Sequence, residues 1–104
     1  MLNLTPHAIV VRTPDGDLTF PPSGTVARVA TVERDAGQYN GIPLVTRATG
    51  AVTGLPDEGT PCLVSGMVLA AVPGRRGVYA PDTGATALRD EKGHIVAVTR
   101  LVAA

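Results

Sequence analysis

The sequence predicts a mainly β fold (all-β or α+β), arranged as a small barrel or a two-layer antiparallel sheet with one short helix. Twelve glycines and nine prolines occur among 104 residues. An ordinary helical bundle does not carry this many, because an interior proline costs a helix about 3 kcal/mol and a glycine about 1 kcal/mol. β-Branched residues recur between these turn residues, as is typical of strands. A chain of this length holds one hydrophobic core, so we expect one β-rich domain over residues 1–104.

The first segment with a clear pattern is a β-hairpin. Residues 8–12 and 18–20 are rich in apolar and β-branched side chains and flank a Pro-Asp-Gly turn at 14–16. Proline presets the first torsion of a turn and glycine accepts a positive φ, so this spacing indicates a tight turn. The Pro-Pro-Ser-Gly segment at 21–24 then interrupts pairing, because proline has no N–H to donate to a ladder. Residues 25–33 resume with β-branched side chains and predict a strand.

The middle of the chain predicts a loop followed by a short hairpin. Residues 34–41 are mostly polar and include two glycines, so we expect a loop there. Residues 42–47 predict an edge strand, because Pro43 cannot donate to a neighbouring strand. Residues 51–53 are expected to pair with this strand across a turn at 48–50.

Only one segment predicts a helix. Ser65 is a residue type that caps helices, and it stands before an apolar run that ends at a Pro-Gly pair. The helix is expected over residues 66–72. Met67, Ala70 and Ala71 fall on one face at helical spacing.

The C-terminal segment predicts another hairpin. Residues 85–89 and 94–102 flank the turn sequence Asp-Glu-Lys-Gly at 90–93. Four turn residues that end in glycine are typical of a hairpin whose last turn residue is left-handed, so we expect Gly93 in that conformation.

The balance of charge and aromatic residues argues against several partners. Nine Lys and Arg residues are balanced by nine Asp and Glu residues, so the chain has no net charge. This disfavours nucleic-acid binding driven by a positive electrostatic potential. Phe20, Tyr39 and Tyr79 are the only aromatic residues, too few for base-stacking platforms.

The most apolar run, residues 62–72, is about half of the roughly 20 residues that a membrane span needs. Cys62 is the only cysteine, which suits a reducing compartment, and we expect a cytoplasmic protein that does not enter a membrane.

Arginine supplies eight of the nine basic residues. One interpretation is a GC-rich coding bias, which also explains the abundance of Ala, Val, Gly and Pro. The other is that some guanidinium groups bind phosphate or carboxylate, which they match with two parallel hydrogen bonds. The sequence leaves both interpretations open.

A turn placed over the start of the helix would bring several of these groups together. If the 81–84 turn folds in this way, side chains from separate segments converge on one small anion. The predicted ligand-binding residues are Arg28, Ser65, Arg75, Arg76, Thr83 and Arg89, with His7, Tyr79 and Asp82 as further candidates. The Gly-Arg-Arg-Gly corner at 74–77 is either an exposed turn or a backbone nest for the anion.

The residue types of catalytic sites are present only in isolation. The Asp-Thr-Gly sequence at 82–84 resembles the loop of aspartic proteases, but the segments around it lack that family's pattern. His7 and His94 would need a third ligand to hold a metal ion. Cys62 lies in an apolar run with no base beside it, so we expect a buried, inert thiol. We therefore expect no catalytic residue, no metal and no cofactor.

Short motifs in a fixed order resemble a family of small proteins of phages and actinobacterial genomes. The motifs are Asn-Leu-Thr-Pro-His at 3–7, Pro-Ser-Gly at 22–24, Ala-Arg at 27–28, Ile-Pro at 42–43, Gly-Leu-Pro at 54–56, Val-Ser at 64–65, Arg76, Ala-Pro-Asp-Thr-Gly at 80–84 and Arg-Asp at 89–90. The resemblance covers nearly the whole chain. It implies a phage or prophage origin and action in the cytoplasm of a bacterial host, and it carries no catalytic assignment.

Three functions follow as hypotheses. The first is a non-enzymatic binding protein for a small anionic ligand, and the resemblance extends it to a sponge that sequesters a nucleotide immune signal. The alternative is a structural or accessory phage protein that acts through protein–protein contacts. The third is a small hydrolase that uses His7 or Asp82. In the first case we expect a homo-oligomer, because a domain this small buries only about 60–65% of its unfolded surface and gains from association.

Overall fold

Four small β-sheets and one short helix make up the fold in a computed structural model that describes residues 1–104. In chain order the elements are β1 (Leu2–Asn3), β2 (Ile9–Thr13), β3 (Gly16–Phe20), β4 (Arg28–Tyr39), β5 (Ile42–Thr53), β6 (Cys62–Leu63), α1 (Gly66–Ala71), β7 (Val78–Pro81), β8 (Leu88–Arg89), β9 (Ile95–Ala97) and β10 (Leu101–Ala103). The chain is mainly β with one short helix, as predicted, and no sheet closes into a barrel. The helix has six residues and is too short to cross a membrane.

The central sheet has the strand order β1-β6-β7-β10. β1 pairs with β6 and β6 with β7 in parallel, with Cys62 opposite both Leu2 and Val78. Only β10 is antiparallel, with Val102 opposite Ala80. The other three sheets are antiparallel as predicted, and the parallel pairs of the central sheet are the exception. Parallel neighbours are joined by long connections instead of tight turns, so no local turn signal reveals them.

The hydrophobic core lies where α1 covers the central sheet. Val68 is the buried residue of the helix, and it packs with five other buried side chains. The cluster is Leu4, Ala27, Cys62, Val64, Val68 and Val78. The Ser65 hydroxyl accepts a hydrogen bond from the Val68 N–H at 3.3 Å, so the predicted N-cap is confirmed, and the helix ends within one residue of the predicted position.

The first hairpin, β2–β3, is confirmed and is joined to the C-terminal segment. Thr13 pairs with Gly16 at its turn, where φ of Gly16 is +120°. The Arg12 N–H donates to the Val98 carbonyl at 2.8 Å, and the Val98 N–H donates to the Val10 carbonyl at 2.9 Å. These two bonds place β2 beside β9.

The C-terminal hairpin is shorter than predicted. β8 pairs with β9 across a turn in which Gly93 is left-handed, with φ of +82°, so that part of the prediction is confirmed. Residues 101–103 leave the hairpin and form β10 of the central sheet. The prediction of one strand over 94–102 is wrong because the last apolar residues pair with β7, a partner distant in sequence.

The segment predicted as a loop and a short hairpin is one long antiparallel hairpin. β4 and β5 have 12 residues each and are paired from Arg28 opposite Thr53 to Tyr39 opposite Ile42. Asn40 (φ +49°) and Gly41 (φ +81°) form its turn, the torsions that a two-residue hairpin loop requires. The predicted loop at 34–41 and turn at 48–50 are therefore wrong. Residues 31–49, which begin and end at the Thr31–Thr49 pair, are called the arm below.

A buried amide joins the central sheet to the first hairpin. The side chain of Asn3, 1% exposed, donates from Nδ2 to the carbonyl oxygens of His7 and Phe20, both at 2.8 Å. Its Oδ1 accepts from the Thr5 N–H at 3.0 Å and from the Thr5 hydroxyl at 2.6 Å. Every hydrogen-bonding position of the amide has a partner. Asn3 and Thr5, the first and third residues of the Asn-Leu-Thr-Pro-His motif, therefore have a structural role: they hold the central sheet and the first hairpin together.

Replacing Asn3 is expected to destabilise the chain strongly. Asn3→Leu keeps the volume but removes the hydrogen bonds of the Phe20 carbonyl and the Thr5 N–H to this side chain, at about 1–3 kcal/mol for each buried group. The His7 carbonyl keeps its bond from the Thr5 hydroxyl. We expect the free energy of unfolding to fall by at least about 2 kcal/mol in urea denaturation. Asn3→Asp, which directs an oxygen at the two carbonyls, is expected to destabilise as well. Asn40→Asp, in the exposed turn, is the control and is expected to change stability by less than about 0.5 kcal/mol. An Asn3→Asp protein as stable as wild type would contradict this assignment.

Two left-handed glycines in the 74–77 corner differ in their surroundings. φ is +76° at Gly74 and +82° at Gly77. A Cβ on Gly74 meets no atom within 4 Å, whereas a Cβ on Gly77 would lie 2.8 Å from the Thr60 carbonyl oxygen and 2.9 Å from the carbonyl carbon of Gly59. Gly77 is thus required both by its torsion and by the backbone packed against it.

Comparing Gly74→Ala with Gly77→Ala separates the cost of the left-handed torsion from the cost of the backbone contact. Gly74→Ala is expected to lower the free energy of unfolding by about 1–2 kcal/mol, the cost of a left-handed L-residue. Gly77→Ala adds a steric overlap with rigid backbone and is expected to cost about 1–3 kcal/mol more. Urea denaturation of the two variants measures the difference. Equal destabilisation would show that the contact with residues 59–60 does not constrain the fold.

Candidate functional site

Five of the eight arginines have partners inside the chain. Three guanidinium groups form ion pairs with carboxylates: Arg12 with Asp17, Arg47 with Glu33 and Arg100 with Asp82. Two others donate to backbone carbonyls. Arg75 bonds Pro56 at 2.6 Å, and Arg89 bonds Gly93 at 2.8 Å and Thr83 at 3.3 Å. These arginines stabilise turns and strands.

Arg28, Arg34 and Arg76 make no side-chain hydrogen bond or ion pair. All three are exposed. Arg34 lies on the arm, Arg76 lies in the corner before β7, and Arg28 is the first residue of β4. Only Arg28 borders one of the three main hollows of the molecule.

The hollow beside Arg28 lies between α1, the start of β4 and the loop after β1. Its volume is about 280 Å³. Thr5, Arg28 and Ser65 supply its polar side chains. Its remaining lining residues are Leu4, Pro6, Val26, Ala27, Val29, Met67 and Val68. This space is called the Arg28 hollow.

A second hollow lies between β2 and β9 and is more apolar. Its volume is about 320 Å³, and His7 and Thr83 are the only residues of its lining with polar side chains. Ile9, Pro81 and Ile95 are among its apolar walls. This space is called the His7 groove.

The structure divides the predicted site residues among separate places. Arg28 and Ser65 share the Arg28 hollow, and His7 and Thr83 share the His7 groove. Arg75, Arg76, Tyr79 and Arg89 border neither space. The predicted convergence over the start of the helix is not seen, because the 81–84 turn lies beside β9 and is held there.

Asp82 is the residue that holds this turn. Its carboxylate accepts from Arg100 Nε at 2.5 Å, from the Gly84 N–H at 3.0 Å and from the Thr86 hydroxyl at 3.4 Å. The Arg100 hydrogen bond, followed by that of Gly84, lowers the pKa of Asp82 below its ordinary value. Asp82 is therefore ionised at neutral pH and has a structural role in the turn.

The Cys62 thiol lies in the core and is fully buried. Burial raises its pKa above the ordinary value, and the nearby Arg75 opposes this more weakly. The thiol is therefore protonated at neutral pH, which agrees with the expectation of a buried, unreactive cysteine.

Sequence reasoning missed Thr5 and Met67 as walls of the Arg28 hollow, and of the arm it predicted only the strand segments at 31–33 and 42–47. Thr5 borders the hollow because its hydroxyl is anchored to Asn3, a contact with no sequence signal of its own. The arm did have a signal. Asn40-Gly41 is a strong hairpin dipeptide, and it directly precedes the strand predicted at 42–47.

Comparison with known proteins adds no family to these observations. No protein-family model, no curated protein and no solved structure matches the chain. No three His, Cys, Asp or Glu side chains are grouped so that they would hold a metal ion. The Arg28 hollow, the His7 groove and the arm are the features to which a function can be assigned.

The low pKa of Asp82 predicts acid destabilisation. The carboxyl has its ordinary pKa, near 3.8, when unfolded and a lower one when folded, so the unfolded chain takes up the proton first. The stabilisation is complete above pH about 4 and is lost as the pH falls through the folded pKa. Asp82→Asn is expected to flatten the acid limb of stability measured by urea denaturation between about pH 2 and 7.

Asp17 provides the matched control for Asp82. Its pKa is also lowered, mainly by the hydrogen bond from Arg12, but its side chain is 41% exposed against 17% for Asp82. Solvent weakens exposed ion pairs, so Asp17→Asn is expected to change the acid limb less than Asp82→Asn. A larger effect of Asp17→Asn would contradict the structural role assigned to Asp82.

Proposed function

We propose that this protein is a non-enzymatic binding protein that holds a small anionic ligand in the Arg28 hollow. The observation that carries the proposal is the position of Arg28. It is the only one of the eight arginines that both borders one of the three main hollows and lacks a carboxylate or carbonyl partner in the chain. An unpartnered guanidinium offers a planar set of donors that matches a phosphate or carboxylate.

The walls of the hollow favour a ligand with an apolar part beside its anionic group. Most of the lining residues are hydrophobic, and they include Met67 on α1 and Val29 on β4. Met67 is exposed, and its flexible thioether adapts to irregular surfaces. The volume of about 280 Å³ lies just below the usual range of ligand sites, about 300–1,000 Å³. A nucleotide, or the nucleotide half of a larger signal molecule, has this combination of shape and charge.

Two hydroxyl groups supply directional contacts. Ser65 accepts the N–H of Val68, which leaves its own proton to donate to a ligand. The Thr5 hydroxyl donates toward Asn3, which leaves a lone pair on its oxygen to accept from a ligand. Both residues are fixed by these bonds, so their geometry exists before a ligand binds.

The biological role proposed for this binding is sequestration. The resemblance of the sequence motifs to small phage and actinobacterial proteins supports action in a bacterial cytoplasm, where a sponge for a nucleotide immune signal would need binding without turnover. The residues of the hollow suit this role, since Thr5, Arg28 and Ser65 offer binding groups but no nucleophile paired with a base.

A second candidate function is that of a structural or accessory protein acting through protein–protein contacts. The observation that favours it is the arm, whose apolar side chains Val32, Tyr39, Ile42 and Leu44 are all more than 40% exposed. Exposed apolar side chains grouped in this way mark interaction surfaces. Binding at the hollow and contact through the arm use different residues, so the two functions are compatible.

The proposed function is tested by a thermal-shift screen with nucleotides as probes. The panel contains cyclic dinucleotides, ADP-ribose derivatives, nucleoside monophosphates and inorganic phosphate. A ligand present at about 100 times its Kd adds about 2.7 kcal/mol of stability, which raises the melting temperature of a domain this size by several degrees. Mass spectrometry of the recovered ligand is expected to show it unchanged.

Arg28→Ala and Arg76→Ala form the matched pair for this test. Both residues are exposed and unpartnered, but only Arg28 borders the hollow. Arg28→Ala is expected to weaken binding about tenfold or more, as measured by calorimetry, because a charge-assisted hydrogen bond is lost. Arg76→Ala is expected to bind like wild type. No shift with any probe, or equal losses in both variants, would overturn the assignment to this hollow, and turnover of a probe would indicate an enzyme.

A further inference from the structure

The two faces of the arm differ in character. Side chains on directly paired strand residues point to the same face, and alternate residues along a strand share a face. One face therefore carries the Glu33–Arg47 pair, together with Asp35, Val45, Gln38 and Pro43 at successive positions. The other face carries the Val32–Ala48, Arg34–Thr46 and Tyr39–Ile42 pairs, with Leu44 between Ile42 and Thr46. The second face is called the apolar face of the arm.

The apolar face is open to solvent. Tyr39 is 65% exposed, Ile42 59%, Val32 47% and Leu44 41%. In an antiparallel sheet with one polar face, the apolar face normally packs on a core. Here no element covers it, because the arm extends beyond the body of the molecule. A two-stranded ribbon of this kind is at best marginally stable alone in water.

The excess surface of the chain is sufficient for an interface. A compact monomer of 10.6 kDa has about 5,500 Å² of accessible surface, whereas this chain has 6961 Å². Its radius of gyration is 16.6 Å, against about 13 Å for a compact domain of this length. The excess of about 1,500 Å² exceeds the share of about 800 Å² that one partner contributes to a stable interface.

The core of the body is small for the length of the chain. Only 13 of 104 residues are buried, and the arm contributes none of them. A partner that covers this exposed apolar surface would stabilise the chain, provided that the partner is present wherever the chain is synthesised. A second copy of the same chain meets this condition.

We propose that the apolar face of the arm binds a second copy of this chain, arm against arm, around a two-fold axis. An apolar face is complementary to itself, since the same residues meet on both sides of a two-fold interface. Arg34 is its only charged residue, and a ribbon of two strands is narrow enough for the long arginine side chain to reach solvent at its edge. The face therefore shows no charge pattern that would select a partner of opposite charge.

The polar face of the arm supports this choice of surface. Its cross-strand ion pair, Arg47 Nε to Glu33 Oε1 at 3.0 Å, is satisfied within one chain and requires no partner. Asp35 accepts the N–H of Gly37 at 2.9 Å, which orders the bulge near the tip. The polar face is thus suited to water, and the opposite face is suited to burial.

The test compares two neighbouring residues on opposite faces. Leu44 lies on the apolar face and Val45 on the polar face, and both are exposed in the single chain. Sedimentation equilibrium of the full chain is expected to give twice the chain mass. Leu44→Lys is expected to weaken this dimer about tenfold or more, since it places an unpaired charge in the interface. Val45→Lys is expected to leave the dimer unchanged, and circular dichroism checks that both variants fold.

A shortened chain provides a second, independent measurement. Replacing residues 33–47 by Asn-Gly joins Val32 to Ala48 through a tight turn and leaves the base of the hairpin in place. This variant is expected to be a folded monomer. A wild-type chain that stays monomeric up to about 100 µM, a shortened chain that still dimerises, or equal effects of Leu44→Lys and Val45→Lys would each overturn the proposal. A monomeric wild type would instead point to a different protein as the partner of the arm.

Discussion

The architecture depends on the buried amide of Asn3. A buried polar group without partners destabilises a fold, so the chain around Asn3 must place two carbonyls and the Thr5 N–H and hydroxyl at fixed positions. Those groups belong to the loop after β1 and to the end of β3. The backbone adds to this anchor, since Ser23 donates to the Asn3 carbonyl and Ala27 to the Leu4 carbonyl. The central sheet, the first hairpin and the start of β4 thus meet at one point, and the Arg28 hollow lies beside it.

Local conformational preference explains which elements the sequence could predict. The Asp15-Gly16 turn, the Ser65 cap and the left-handed Gly93 all follow from torsions and hydrogen bonds within a few residues. The parallel pairing of Cys62 with Leu2 and Val78 does not, because each pairing joins residues distant in sequence. The full length of the arm was missed for a different reason. A polar stretch was interpreted as a loop, although an exposed strand tolerates polar side chains on both faces.

In the candidate site, likewise, the sequence gives the residue types, whereas the positions of these residues in space depend on contacts between distant segments. The abundance of arginine left open whether guanidinium groups bind a ligand, and five of the eight bind carboxylates or carbonyls of the chain itself, as with Arg100 on Asp82 and Arg75 on Pro56. Only the three-dimensional structure distinguishes Arg28, which lacks such a partner, from those arginines. Net charge and composition say which chemical groups are present, whereas only the folded chain places Arg28 beside the hollow between α1 and β4.

The topology also has a consequence for how the molecule folds. The arm pairs neighbouring segments through a two-residue turn, and such hairpins form in microseconds. The central sheet joins residues 2–3 to residues 62–63, 78–81 and 101–103, and pairings between distant segments form slowly. The apolar face of the arm is therefore available for contact before the body is complete. Assembly of two chains during synthesis, with the arms meeting first and each body closing afterwards, is a folding route that this topology permits.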